Sequence, residues 1–114
     1  MTLIFKIIDA GTYGAAQKLG QFLGAEIDLK DGYIHFSTAE QVVETAQRHF
    51  AERHNLLLLA ISAEALGADL KWEPSRGGQL FPHLYGPLAI TQVNWAKPLA
   101  WNGTTHDFPT EVLA

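Results

Sequence analysis

The order of hydrophobic and polar positions along the chain predicts more strands than helices. Short apolar runs rich in β-branched or aromatic residues predict strands over residues 3–8, 33–36, 56–61, 70–73 and 88–95. The run 56–61 is the longest apolar block and is expected to form a central strand. Because strands outnumber helices, the pattern favours an α+β fold with a mostly antiparallel sheet.

Two helices are predicted, both in the N-terminal half of the chain. A short one covers residues 13–19 and ends at Gly20, a residue type that favours the left-handed conformation after a helix. The longer one begins at Ser37 or Thr38 and runs to about residue 53, because apolar residues recur there with helical period.

The remaining segments carry turn and loop signals. Residues 22–30 are ambiguous, and 63–66 predict one helical turn stopped by Gly67. Residues 75–78 predict a mobile loop, and 81–87 a rigid, turn-rich segment. From about residue 97 the chain is expected to be irregular, and residues 1–114 are expected to form a single domain.

Composition and charge narrow the function classes. Hydrophobic residues make up 47% of the chain, but no apolar run approaches the roughly 20 residues that a membrane helix needs. The net charge is −4 and the basic residues are scattered, which disfavours bulk DNA or RNA binding. The chain has no cysteine, which excludes disulfides and thiolate chemistry. No signal-peptide pattern is present, so a cytoplasmic location is expected.

His35 and Ser37 lie at the junction between a predicted strand and the longer helix. Alternate side chains of a strand share a face, so Tyr33, His35 and Ser37 are predicted to line one side. Two interpretations of Ser37 stay open. It caps the helix, since Ser37 to Glu40 has capping-box form, although Thr38 to Gln41 offers the same pattern one residue on; or it binds a ligand beside the N–H groups of the first helical turn. For His35 the alternatives are a ligand-binding residue and a hydrogen-bonded structural residue.

Two later segments carry the other candidate residues. Glu73 closes a strand just before a proline, and Arg76 supplies a fixed cation suited to carboxylate or phosphate. If residues 81–87 are extended, His83 and Tyr85 share a face, and His83 can meet His35 across a sheet. The structural alternatives are a solvated loop with a Glu73–Arg76 pair and an aromatic turn packed on the core.

Patterns typical of several other chemistries are missing. His49 and His54 are five residues apart, the wrong spacing for one helical face, so no metal site is expected. The chain has no Gly-x-Ser-x-Gly motif, which disfavours a serine hydrolase. The Walker and dinucleotide-binding glycine motifs are absent as well.

Three motifs together resemble a known family. Asp-Gly-Tyr-Ile-His-Phe-Ser-Thr at 31–38, Lys-Trp-Glu at 71–73 and Phe-Pro-His-Leu-Tyr-Gly at 81–86 occur in the same order in the small bacterial domain family of unknown function numbered 952. The similarity covers roughly residues 3–95. That family in turn resembles the ADP-ribosyltransferase fold, so the resemblance implies a split, strongly bent, mostly antiparallel sheet with a few helices.

The resemblance also implies a ligand and residue roles. In NAD-using enzymes of that fold, an early His-x-Ser or His-x-Thr grips NAD, a tyrosine stacks on nicotinamide and a late glutamate supports the transferred ribose. His35 and Ser37 match the first motif, and Arg76 would hold phosphates, which makes these three the expected cofactor-binding residues. Glu73, His83 and Tyr85 are the expected catalytic residues, although Glu73 precedes Tyr85 whereas the late glutamate usually follows the tyrosine.

Three functional hypotheses follow for the chain. The first is a transferase that uses NAD, or acts on an ADP-ribosylated or phosphorylated substrate, through a cleft centred on His35. The second is a noncatalytic module that binds such a nucleotide but has lost the transfer machinery. The third is a structural or interaction protein with an incidental polar cleft. The fold alone does not choose among them.

Overall fold

The computed structural model of the protein describes residues 1–113. Eight strands and five α-helices lie in this part of the chain, with single turns of 3-10 helix at Gly67–Asp69, Arg76–Gly78 and Ile90–Gln92. In chain order the elements are β1 (Leu3–Asp9), α1 (Ala10–Leu19), β2 (Gln21–Phe22), α2 (Glu26–Asp31), β3 (Ile34–His35), α3 (Ala39–His49), β4 (Leu56–Ser62), α4 (Ala63–Leu66), β5 (Leu70–Pro74), β6 (Leu80–Leu84), β7 (Leu88–Ala89), β8 (Val93–Leu99) and α5 (Thr110–Leu113).

The first sheet has the order β1–β4–β8, and its strands pair antiparallel. Strand β4 is central, as predicted from its apolar run. Its alternate residues enter two different clusters: Leu59 packs with residues of α1 and the second sheet, whereas Leu58 packs with residues of α3 and α5. A strand covered on both faces needs apolar side chains at every position, which explains why 56–61 shows no polar alternation.

The second sheet has the order β3–β6–β5 and is also antiparallel. The two sheets meet just after β3, where Phe5 and Ser37 exchange backbone hydrogen bonds of 2.8 and 2.9 Å. A two-stranded ladder of β2 and β7 completes the pairing. The α+β class with antiparallel strands and few helices is therefore confirmed.

Strand β6 corrects the prediction of a turn-rich segment at 81–87. Pro82 disfavoured a strand in the sequence-based prediction, yet it lies in the middle strand of the second sheet. The Pro82 carbonyl accepts a bond of 3.0 Å from the Phe36 amide. In an antiparallel pair, the N–H and C=O of one residue point toward the same neighbouring strand. Because proline has no N–H, Pro82 loses only the bond that it would donate to the Phe36 carbonyl.

Helix α3 begins one residue later than the interpretation of Ser37 as its cap requires. The N-cap is Thr38, and the Gln41 side chain accepts from its backbone N–H at 3.0 Å, the second half of a capping box. Ser37 is instead in extended backbone that pairs with Phe5. The helix ends at His49, short of residue 53, and the chain leaves it through Glu52 and Asn55, which both have positive φ.

Other boundaries also differ from the prediction. The expected strand 88–95 is divided into β7, a 3-10 turn and β8, and β8 continues to Leu99 although 97 onwards was expected to be irregular. Helix α4 confirms the predicted helical turn at 63–66, whereas α5, whose Val112 is buried, was not predicted. None of the helices in residues 1–113 has both the length and the apolar content that crossing a membrane requires.

Candidate functional site

The pairing of the second sheet brings three candidate residues onto one face. His35 on β3 lies opposite His83 on β6, and His83 lies opposite Lys71 on β5. Glu73 is two residues beyond Lys71 and therefore shares that face. The two histidine motifs, far apart in the chain, thus become direct neighbours because β3 and β6 pair in this register.

Four rings cover this face of the sheet. Tyr33 stacks on His83 with ring centroids 4.0 Å apart and an interplanar angle of 28°. The centroid of Tyr33 also lies 4.7 Å from His35 and 5.3 Å from Tyr85. The His35 and His83 rings meet edge to face at 5.6 Å. Tyr33, His35, His83 and Tyr85 therefore form one cluster, which we call the ring cluster.

Glu73 connects two members of the ring cluster through one carboxylate oxygen. His83 Nδ1 lies 2.8 Å from Glu73 Oε1, and the Tyr85 hydroxyl donates to the same oxygen at 2.7 Å. The hydrogen bond from His83, followed by that from Tyr85, lowers the pKa of Glu73. The same bond to Glu73 raises the pKa of Tyr85 to about 12. An ionised Glu73 can only accept hydrogen bonds, so His83 carries a proton on Nδ1.

The other ring nitrogen of His83 is available for chemistry. Only 3% of the His83 surface is exposed, and within residues 1–113 its Nε2 has no hydrogen-bond partner. A histidine oriented by a carboxylate through one nitrogen, with the other nitrogen free, has the geometry of a general base.

His35 is bound by carboxylates at both ring nitrogens. Its Nδ1 lies 2.6 Å from Asp28 Oδ1, and its Nε2 lies 2.9 Å from Asp31 Oδ2. Its backbone N–H also donates to Asp28 Oδ1 at 3.0 Å. Asp28 is 2% exposed, whereas the Asp31 side chain is partly open to solvent.

Lys6 completes the surroundings of Asp28 from the other sheet. Its ammonium lies 3.0 Å from Asp28 Oδ1 and 2.9 Å from Oδ2, and Lys6 is only 7% exposed. Burial opposes the charged form and would raise the pKa of Asp28. The hydrogen bond from His35, the charge of Lys6 and the Ala25 amide outweigh it and lower that pKa to about 2. Burial lowers the pKa of Lys6, against the attraction of Asp28.

Lys6, Asp28, Asp31 and Tyr33 were not predicted as site residues. Lys6 did carry a signal, because a lysine inside a buried apolar strand needs a partner. Asp28 lies in the ambiguous segment 22–30, and Asp31 lies in the turn predicted after it. Both residues belong to helix α2. Their distance from His35 depends on how α2 docks against β3, and local sequence periodicity does not report that docking.

Ser37 and Arg76 form a second group beside the ring cluster. The Ser37 hydroxyl lies 3.0 Å from that of Thr45 on α3, and an Arg76 N–H donates to the Thr45 hydroxyl at 3.3 Å. The Arg76 guanidinium also lies over the Phe81 ring, 5.0 Å from its centroid. Phe81 pairs with Glu73, one step along the sheet from His83, so the two groups adjoin on the same face. The α3 N-terminus offers a ligand fewer free N–H groups than expected, because the Thr38 N–H already donates to the Gln41 side chain.

The volumes of the surface concavities do not by themselves identify the functional site. The larger one, about 580 Å³, lies between α3 and the segment 101–108 and includes none of the predicted site residues. A smaller one, about 290 Å³, also contains none of the predicted site residues, but Tyr33 of the ring cluster and Asp28 lie in its lining. We place the candidate site at the ring cluster because the oriented histidines and carboxylates lie there. Within residues 1–113 no group of three or more histidine and acidic side chains is arranged to hold a metal ion.

Comparisons with known proteins agree with the family resemblance. The model of the family described as "Protein of unknown function (DUF952)" matches residues 7–96. The crystal structure of protein CC0527 from Caulobacter crescentus is similar at 44% identity, with 99% of this chain and 100% of that chain covered and a TM-score of 0.94. Its solution NMR structure is similar at 48% identity over 93% and 91% of the two chains, with a TM-score of 0.84. No curated protein matches the chain.

Proposed function

This chain belongs to the DUF952 family of proteins of unknown function, and from the geometry of its site we propose that it binds NAD or a related nucleotide containing ADP-ribose. The ligand lies on the face of the second sheet, with its ring at the ring cluster and its phosphates at Arg76. The two antiparallel sheets joined at Phe5 and Ser37 support the related proposal of an ADP-ribosylation-like split sheet.

The observation that carries the proposal is the combination of aromatic rings and carboxylates at the ring cluster. Tyr33 and Tyr85 lie beside Glu73 and Asp31, and 40% of the Tyr85 surface is exposed. Aromatic faces and carboxylates attract a flat cation and repel a phosphate. The nicotinamide ring of NAD is a flat cation, so the ring cluster favours that end of the molecule.

The neighbouring group has the opposite preference. Arg76 is a permanent cation, and the hydroxyls of Ser37 and Thr45 lie beside it. A guanidinium with nearby hydroxyl donors is suited to the oxygens of a pyrophosphate. One face of the sheet therefore offers a site for a cationic ring next to a site for phosphates, in the order that NAD requires.

We propose a group transfer as the reaction that follows binding. The bond between the nicotinamide nitrogen and ribose C1′ breaks, and nicotinamide leaves as a neutral molecule with the bonding electron pair. An acceptor hydroxyl or water forms the new bond to C1′, and its proton passes to His83 Nε2. Glu73 holds His83 in place and its negative charge stabilises the cationic ribose of the transition state. Tyr85 packs against the leaving ring.

Calorimetry with NAD, ADP-ribose and AMP tests the binding. We expect NAD to bind, and Arg76→Ala to raise its Kd about tenfold through loss of a charge-assisted contact. Arg48→Ala is the matched control. Arg48 and Arg76 both pair with Glu44 of α3, but Arg48 does not contact Thr45. Absence of binding by all three nucleotides at millimolar concentration contradicts the proposal and favours a structural or interaction protein.

A noncatalytic binding module is the second candidate function. The observation that favours it is that both ring nitrogens of His35 already contact carboxylates. Release of nicotinamide from NAD separates the two candidates. We expect release by the wild type and its loss in His83→Ala with binding retained. Binding without release in the wild type supports the module.

A further inference from the structure

Four donor atoms make five contacts with the carboxylate of Asp28. Oδ1 accepts from Lys6 Nζ, from the His35 backbone N–H and from His35 Nδ1, and Oδ2 accepts from Lys6 Nζ and the Ala25 N–H. A carboxylate with this many donors is ionised and has no remaining freedom to rotate. Asp28 is consequently a fixed acceptor for Nδ1 of the His35 ring.

The network joins parts of the protein that are otherwise separate. Lys6 belongs to β1 in the first sheet, Asp28 to α2, and His35 to β3 in the second sheet. The orientation of the His35 ring is therefore set from outside its own sheet. A rotation of that ring would break a 2.6 Å contact and leave a buried carboxylate short of a donor.

Stability alone gives a weak reason for such a network. A buried ion pair is often no more stabilising than apolar side chains of similar volume, because both charges lose their hydration. Lys6 and Asp28 are both nearly excluded from solvent. A positional role accounts for the arrangement better, since a fixed carboxylate determines which nitrogen of a histidine holds the proton.

We propose that Lys6 and Asp28 are positioning residues that hold His35 with its proton on Nδ1 and its Nε2 toward the ligand. Lys6 keeps Asp28 ionised and in place, and Asp28 accepts from Nδ1–H. Nε2 is then the atom that meets the ligand in place of the exposed Asp31. The role at the ligand rests on the proposed function, whereas the protonation of Nδ1 does not.

Two-bond hydrogen–nitrogen correlation spectra of isotope-labelled histidine test the protonation directly. The His35 signals are assigned by their loss in His35→Asn. At a pH where the ring is neutral and holds a single proton, we expect the Nδ1–H pattern in the wild type, because Asp28 is buried and fixed whereas the Asp31 side chain is partly exposed. In Asp28→Asn and Lys6→Met we expect a mixture of both tautomers, with restoration in Lys6→Arg. Lys97→Met is the matched control, because it removes a lysine–glutamate pair that does not touch His35. An Nε2–H pattern for the neutral His35 ring of the wild type overturns the inference.

Binding of ADP-ribose to the same variants tests the role at the ligand. We expect a rise in Kd of about tenfold in Lys6→Met, with no change in Lys97→Met. Circular dichroism first establishes that Lys6→Met is folded. Unchanged tautomer and Kd in a folded Lys6→Met overturn the inference. A wild type that has the Nδ1–H pattern but binds no nucleotide contradicts the proposed function and leaves the inference on protonation supported.

Discussion

The two halves of the ring cluster use the same pair of residue types in different surroundings. In each half a carboxylate contacts Nδ1 of a histidine, Asp28 for His35 and Glu73 for His83. Asp28 is buried and neutralised by Lys6, and the second nitrogen of His35 is covered by Asp31. Glu73 is partly open to solvent, its second donor is a tyrosine, and Nε2 of His83 is uncovered among residues 1–113.

The difference between the halves indicates a division of work. The His35 half is rigid and charged in the interior, which suits a residue that must hold one orientation. In the His83 half the carboxylate is partly exposed and Nε2 of the histidine has no hydrogen-bond partner among residues 1–113, which suits a residue that exchanges a proton. Four changes, from the largest expected effect to the smallest, test this comparison.

Asp28→Ala should be the most damaging of the four. It leaves the Lys6 ammonium buried without a partner, which we expect to lower the free energy of unfolding by about 3–5 kcal/mol. Urea denaturation measures the loss. Asp31→Ala, which removes the other carboxylate on His35 at a partly exposed position, should cost less than about 1 kcal/mol. Equal losses in the two variants would show that the His35 half is not organised around the buried pair.

Acid should weaken the His35 half in a defined pH range. The pKa of Asp28 is about 2 in the folded protein, below the value of about 3.9 for an unfolded aspartate. The folded state therefore binds fewer protons. The stability due to Asp28, about 2 kcal/mol, is fully present above about pH 5 and is lost as the pH falls through the folded pKa. Unfolding curves between about pH 5 and 2 measure this loss, and it should largely disappear in the double variant K6M/D28N.

Glu73→Gln should alter the His83 half with little change in stability. Without the carboxylate, the pKa of Tyr85 should fall from about 12 toward the ordinary value of about 10. The phenolate absorbance during alkaline titration measures it, in a Tyr33→Phe background because burial and the charges of Asp31 and Glu73 also raise the pKa of Tyr33. A Tyr85 pKa that stays at its wild-type value would mean that the contact with Glu73 is not formed in solution.

Tyr85→Phe should have the smallest effect of the four. It removes one donor to Glu73 but keeps the ring and the bond from His83. We expect little change in the free energy of unfolding, because the group is exposed. If the leaving ring packs on Tyr85, the Kd for NAD should change less in Tyr85→Phe than in Tyr85→Ala. A Tyr85→Phe variant that loses all nicotinamide release would assign the hydroxyl a chemical role.

The predicted part of the fold depends on local periodicity and on whole apolar runs. Strand β4 and helix α3 were found in this way, because an apolar block and a helical stripe are visible within one segment. Strand β6 was missed, because proline is unfavourable in a central strand. Pro82 is tolerated there because its missing N–H costs only one hydrogen bond, the bond to Phe36. That tolerance depends on the pairing with Phe36 and cannot be read from 81–87 alone.

The site shows the same limit. Alternation along β3 and along 81–87 predicted which of His35, His83 and Tyr85 share a face if both segments are extended, and the register of β3 and β6 places them side by side. The carboxylate partner of His35 was missed, because Asp28 reaches it only after α2 docks against the sheet. The interpretation of Ser37 as a cap was wrong, because the pairing with Phe5 takes its backbone before the helix begins.

Residue types and their spacing by themselves determined the antiparallel α+β class, the apolar core strand and the family, since each depends on order along the chain. Tertiary structure alone decided how the two histidines differ. A carboxylate acts through distance, burial and the charges near it, and these quantities arise only when β1, α2 and β3 come together around Asp28. The same histidine–carboxylate pairing therefore has a buried carboxylate and partners on both ring nitrogens in one half, and a partly exposed carboxylate and one unpartnered ring nitrogen, within residues 1–113, in the other.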